Sequence, residues 1–148
     1  MPTPSATYIE NRERIQPNQT NNYDSAHGGE VMRLMDEIGA MSAMRFAGSD
    51  CVTARMEQVN FRRPIPVGDN ALLKSYVYDT GETSVRVRIR AFRENPRTAE
   101  AELTTDSHLV YVAIDDDLDP VSVPELTVSS ERGEELQAAA LASSKHDA

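Results

Sequence analysis

Two hydrophobic periods divide the chain. Across residues 27–46 there is no proline, and Val31, Leu34, Met35, Ile38, Met41 and Phe46 recur at helical spacing. This predicts one long helix, closed by Ala47-Gly48. Downstream the period falls to two. Residues 52–61 read as a strand, punctuated by Pro64-Ile65-Pro66-Val67-Gly68-Asp69. Residues 71–78 and 84–92 flank Asp79-Thr80-Gly81-Glu82 as the arms of a hairpin. The second arm places Val85, Val87 and Ile89 on one face and Arg86, Arg88 and Arg90 on the other. After Glu94-Asn95-Pro96-Arg97 a last long strand covers residues 99–114, and upstream of the helix residues 8–15 form a first one. Between that strand and the helix lies a run of turn-forming residues, Asn18 to Ser25, whose side chains can bond backbone amides.

These elements predict an α+β fold: one long central helix, apolar around most of its circumference, wrapped by an antiparallel sheet of about five strands. Residues 1–7, rich in Pro, Ser and Thr, are expected to be a flexible lead. Residues 8–126 form a single domain, and residues 127–148 an acidic tail, partly helical or disordered.

Charge narrows the partners. Twenty-four Asp and Glu against 15 Lys and Arg give a formal charge of −9, which argues against nucleic acid or an anionic membrane as a partner. Among the basic residues only Lys74 and Lys145 are lysines. With that bias, the run Asp115-Asp116-Asp117 and 5% aromatic residues, the composition resembles that of salt-in halophiles, and a halophilic source is expected. The single cysteine, Cys51, excludes an internal disulfide and fits a reducing, cytoplasmic setting. No basic, apolar leader opens the chain, and no stretch reaches the roughly 20 apolar residues of a membrane span.

The helix carries the candidate chemistry. On a wheel of 100° per residue Glu30, Arg33 and Glu37 share a solvated arc, whereas Asp36 falls outside it beside Met32, Ala40 and Ala43. Periodicity alone leaves two readings of Asp36, a functional carboxylate or an edge residue bonded by the sheet. At the helix start, Gly28-Gly29 offers backbone N–H groups and the positive end of the helix dipole, which suits an oxyanion; close packing is the other use of such a pair. His27, His108 and His146 lack metal-ligand spacing, and no Gly-x-Ser-x-Gly or phosphate-loop pattern occurs.

Taken in order, Thr20-Asn21, His27-Gly28-Gly29, Met35-Asp36, Val52-Thr53-Ala54, Asn60-Phe61, Pro64-Ile65, Gly68-Asp69 and Gly81-Glu82-Thr83-Ser84 resemble the acyl-CoA thioesterases of the hot-dog superfamily. The YciA-type and brain acyl-CoA hydrolase-type branch is the nearest in pattern. The resemblance spans about residues 8–126 and implies the hot-dog fold. It also implies hydrolysis of an acyl-CoA thioester to a free acid and CoA-SH, with no metal or other cofactor. Asp36 matches the family's catalytic carboxylate, acting as general base or nucleophile. Asn21 matches the polar residue near the thioester, Gly28 or Gly29 the position whose N–H polarises the carbonyl, and Thr53 a threonine facing the reaction centre. Where relatives commonly have a glycine after the asparagine, this chain has Asp24, so Asn21 and Asn22 both stay open as the substrate-facing residue.

Gly28 and Asp36 are eight residues apart, about 12 Å at 1.5 Å per residue. If both act on one thioester they come from different subunits, with helices antiparallel across a two-fold axis. The family's dimer has this arrangement, so a homodimer is the minimal unit expected, assembling further into a tetramer or hexamer. CoA phosphates need local positive charge; Arg62 and Arg63 are the first candidates, followed by Lys74 and Arg86. His27 and Ser84, both inside matched motifs, complete the substrate-contacting set. The alternatives are a hot-dog dehydratase or hydratase and a non-catalytic acyl-CoA-binding module. Acyl length would depend on helix side chains such as Met32, Met35 and Met41.

Overall fold

Each end of the predicted helix carries its own stop. In the computed structural model, which describes residues 2–147, this helix is α1, Gly28–Ala47. His27 caps its start in an extended conformation, and Gly48 ends it in the left-handed region (φ 68°) with its N–H on the Met44 carbonyl at 2.9 Å. Val31, Leu34, Met35, Ile38, Ala43 and Phe46 face a sheet and are buried. The large ones contribute about 1.5–3 kcal/mol each.

The sheet has five antiparallel strands: β1 (Ile9–Arg14), β2 (Asp50–Phe61), β3 (Asn70–Thr80), β4 (Ser84–Glu94) and β5 (Ala101–Ile114). Their spatial order is β1-β3-β4-β5-β2, so β1 and β2 lie at the edges, joined in sequence through α1. This is the hot-dog arrangement expected from the resemblance. On β4 the predicted alternation holds: Val85, Val87 and Ile89 are fully buried under α1 while Arg86, Arg88 and Arg90 face outward.

Three expectations are revised. Met41 is not a core residue: it is 45% exposed, because at 100° per residue it lies 40° from Glu37 and belongs to the charged side. Met32 and Met44 are exposed as well, so α1 is not apolar-buried around most of its circumference, while Met35 is wholly inside the core. The segment read as a flexible lead holds a short 3-10 turn, Ser5–Thr7, whose Thr7 is buried and whose Oγ1 accepts from Val77 N–H at 2.9 Å. In the tail, of the two forms expected, the helical one is found: α2 (Glu131–Asp147), started by Ser130 Oγ accepting from Gly133 N–H. It lies on the outer face of the sheet, where Tyr76 OH donates to the Leu136 carbonyl at 2.6 Å and Ala140 is fully buried. Met1 and Ala148, at the outer limits of the predicted lead and tail, fall outside the described residues.

Thr7→Val keeps shape but strips the acceptor from a buried amide. We expect a loss of about 1–3 kcal/mol, read as a lower midpoint in thermal circular dichroism. An unchanged melt would mean that Val77 N–H has another partner.

Candidate active site

Asp36 projects from α1 towards the β2–β5 pair. Thr53 and Tyr111 are direct register partners on those strands, and both turn inward. Thr53 Oγ1 donates to Asp36 Oδ1 at 2.6 Å; Tyr111 OH lies 3.1 Å from the same oxygen and 2.9 Å from the Asp36 backbone carbonyl. Asp36 Oδ2 has no hydrogen bond among the described residues. A β-bulge follows at once, because Arg55 pairs with Val110 and Ala54 is left over, which sets the angle at which Thr53 meets the helix. Tyr111 is fully buried, and burial together with the Asp36 charge pushes its phenol far above the usual range, so it remains protonated and a donor. It reaches α1 because residue 39 is glycine: a Cβ there would sit 2.5 Å from the Tyr111 oxygen. The sequence reading placed Thr53 here but missed Tyr111. Strand alternation marks Tyr111 only as inward-facing; its register opposite Thr53 is what identifies it.

A second cluster lies at the start of α1. Asn21, Gly28, Phe61, Arg62, Arg63 and Thr105 line a groove of about 370 Å³. Asn21 Oδ1 accepts from the N–H groups of Tyr23 (2.8 Å) and Ser25 (3.3 Å), a side-chain-closed turn that leaves its Nδ2 without a partner among the described residues. Asp24 sits in the left-handed region (φ 57°), which aspartate tolerates, so the loop closes without a glycine. Asn21, rather than Asn22, therefore faces the groove. The two glycines differ as well. Gly29 N–H is held by His27 Nδ1 at 3.0 Å, whereas Gly28 N–H has no partner among the described residues. His27 thus serves as the helix cap.

The basic candidates also separate. Arg62 Nη2 is 3.3 Å from Asp106 Oδ2, Lys74 is 3.5 Å from Glu10, and Arg86 is 3.0 Å from Glu57. Arg63 has no ion pair among the described residues. Ser84 lies opposite Val112, at the Thr53–Tyr111 end of the sheet beside Arg86, and does not line the groove with Arg62 and Arg63. Nor does Asp36 line the groove. Cys51, half-buried two residues before Thr53, has its thiol pushed up to about 11 by burial and by Asp50. Among the described residues no group of three His, Cys, Asp or Glu is placed to hold a metal, and no helix is long and apolar enough to cross a membrane.

Comparison with known proteins gives a consistent picture. A model of the thioesterase superfamily matches residues 23–100. The chain is 37% identical to a Bacillus subtilis protein described as an uncharacterised acyl-CoA thioester hydrolase, over 80% of this chain and 69% of that one. It is 30% identical to the human cytosolic acyl coenzyme A thioester hydrolase but spans only 34% of that protein's length. Among solved structures, an apo hexameric acyl-CoA thioesterase superposes with a TM-score of 0.86 at 33% identity, covering 99% of this chain and 94% of that one. The Staphylococcus aureus acyl-CoA hydrolase, solved with butyryl coenzyme A and coenzyme A, superposes with a TM-score of 0.85 at 27% identity, covering 97% and 87%. Alanine variants of that hydrolase replace an asparagine, an aspartate and a threonine. These three are separated by 15 and then 17 residues, the spacings of Asn21, Asp36 and Thr53.

Proposed function

The chain belongs to the thioesterase superfamily, and we propose that it is an acyl-CoA thioester hydrolase whose working site is assembled from two copies of the chain. The observation that carries this reading is the separation of the parts. Asp36, Thr53 and Tyr111 form one cluster, Asn21, Gly28 and Arg63 another, about 12 Å away along one rigid helix. A second copy with its α1 antiparallel brings the carboxylate of one chain to the Gly28 N–H of the other. The exposed Met32, Val52 and Phe61 and the unpaired edge of β2 are what such a partner would cover. Related structures described as hexameric favour further assembly of these dimers.

In this site the acyl carbonyl lies against Gly28 N–H, with the amide of Asn21 beside the thioester. Water held by the free Oδ2 of Asp36 attacks the carbonyl carbon and gives its proton to the carboxylate, while the C=O electron pair moves to oxygen and is stabilised by Gly28. Collapse of that oxyanion breaks the C–S bond. The departing sulfur takes the proton back from Asp36, leaving a free acid, CoA-SH and the original carboxylate. No cofactor enters these steps. Arg63, with Arg62 behind it, receives the CoA phosphates. In the alternative route the carboxylate itself attacks the carbonyl and forms an anhydride. A single turnover in heavy-oxygen water and a trap for the acyl-enzyme together separate the two: label in Asp36, or an acyl group trapped on it, marks the anhydride route, whereas label in the product acid with no trappable acyl-enzyme marks Asp36 as the base.

A cytoplasmic, salt-adapted setting fits the lone cysteine and the acidic surface, so assays belong in both low and molar potassium chloride. Asp36→Asn should lower kcat for thiol release from a panel of acyl-CoAs by about 10²–10⁴-fold. Undiminished release would remove Asp36 from the chemistry, and CoA-ester binding without release in the native protein would favour the non-catalytic module.

Gly28 is the first residue of α1, where proline is accepted, and the extended His27 before it suits a following proline. Gly28→Pro should therefore fold yet lose about 10²–10³-fold in kcat, while Gly28→Ala, which keeps the N–H, stays near the native rate.

Mixing is the test of the shared site. Asp36→Asn and Gly28→Pro chains, inactive apart, should regain about a quarter of native activity when refolded together, since half the dimers are mixed and each of those has one intact site. No recovery, with mixed dimers shown to form, would place both residues in one chain's site.

A further inference from the structure

We infer that Tyr111 is a positioning residue for the catalytic carboxylate and that Gly39 is the residue that admits it; the inference rests on the reading of Asp36 as that carboxylate. The terminal torsion of an aspartate is broad and roughly two-fold, so the side chain alone does not decide which oxygen faces the substrate. Here both available donors choose the same oxygen. Thr53 Oγ1 and Tyr111 OH meet Asp36 Oδ1 at 2.6 and 3.1 Å, and the phenol also lies 2.9 Å from the backbone carbonyl of the same residue. The Tyr111 oxygen thus spans side chain and main chain of Asp36, tying the rotamer to the helix and leaving Oδ2 as the one oxygen free to take a proton. The two donors are not alike in firmness. Thr53 is exposed on an edge strand beside a bulge, whereas Tyr111 is fully buried on β5, inside the sheet. Tyr111 is the fixed post and Thr53 the adjustable one.

Gly39 supplies independent support. A glycine in mid-helix weakens the helix relative to alanine, and the φ of Gly39 lies outside the left-handed range that only glycine favours. What the position requires is space: a Cβ would stand 2.5 Å from the Tyr111 oxygen and 3.3 Å from the ring carbon that bears it. The helix gives up stability at the one point where the phenol must pass to reach Asp36.

Tyr111→Phe keeps the ring and removes the hydroxyl. It should lower kcat by about 10–100-fold with KM nearly unchanged, as a misaligned reacting group does. Gly39→Ala should reproduce that loss by displacing the hydroxyl, again with KM nearly unchanged. Combined with Tyr111→Phe it should cost no more than Tyr111→Phe alone, whereas a packing role for Gly39 predicts additive losses. Thermal melts show which variants remain folded. If Asp36→Asn is inactive but folded Tyr111→Phe has native kcat, the positioning role is overturned; if Asp36→Asn is itself active, the reading of the site falls instead.

Discussion

An α-helix advances about 1.5 Å per residue and cannot fold back on itself, and the rest of this molecule is arranged around that rise. Twenty residues of α1 lie across the sheet, so groups on it keep fixed separations. The N-terminal turn faces the groove beside Phe61 and Arg63; two turns on, Asp36 faces the β2–β5 pair. Packing forbids any closer approach, because Val31, Leu34, Met35 and Ile38 pin the intervening turns to the core. Chemistry that needs both ends must reach across to another helix. The edge position of β2, with its two interruptions in register, gives the place where that crossing is possible.

The sequence carried the fold through its periods. Residues 27–46 match α1 to within a residue or two at each end, because helix formers, absence of proline and the Gly48 stop agree. The β4 alternation was equally plain. Met41 was misplaced because six apolar positions fitted one stripe loosely, and the angle to Glu37 was the better guide. Helix α2 was left between helix and disorder: its alanines show no marked stripe, and it is held by Tyr76 and Tyr78 through contacts about 60 residues distant. Motif order singled out Asp36 and Thr53, which meet in a hydrogen bond, and Asn21, which lines the groove. The choice between Gly28 and Gly29 was not legible there, since it turns on a single bond from Gly29 to the His27 ring. Tyr111 was hidden because register across β2 and β5, bulge included, is not written in either strand alone.

The arginine bias also takes on a local meaning. Arg33 lies between Glu30, Glu37 and Glu13, Arg12 between Glu94 and Glu10, and Arg55 and Arg86 share Glu57. Apart from Arg12–Glu94, whose carboxylate is buried, these are partly or fully exposed pairs worth about 0–1 kcal/mol each, so they do little to hold the fold. They do neutralise those four guanidinium groups in place. Arg63, at the rim of the groove and without an ion pair among the described residues, places positive charge there on an acidic protein.

The lone thiol closes the picture. Cys51 sits two residues from Thr53, close to where a thioester would be opened and a free thiol set loose. With its own thiol pushed up to about 11, only about one Cys51 in ten thousand is thiolate at neutral pH. It is a poor acceptor for the acyl group and a slow partner for any oxidised form of the product. Burial, rather than the absence of a cysteine, keeps the Cys51 thiol protonated and slow to react with thioesters and disulfides.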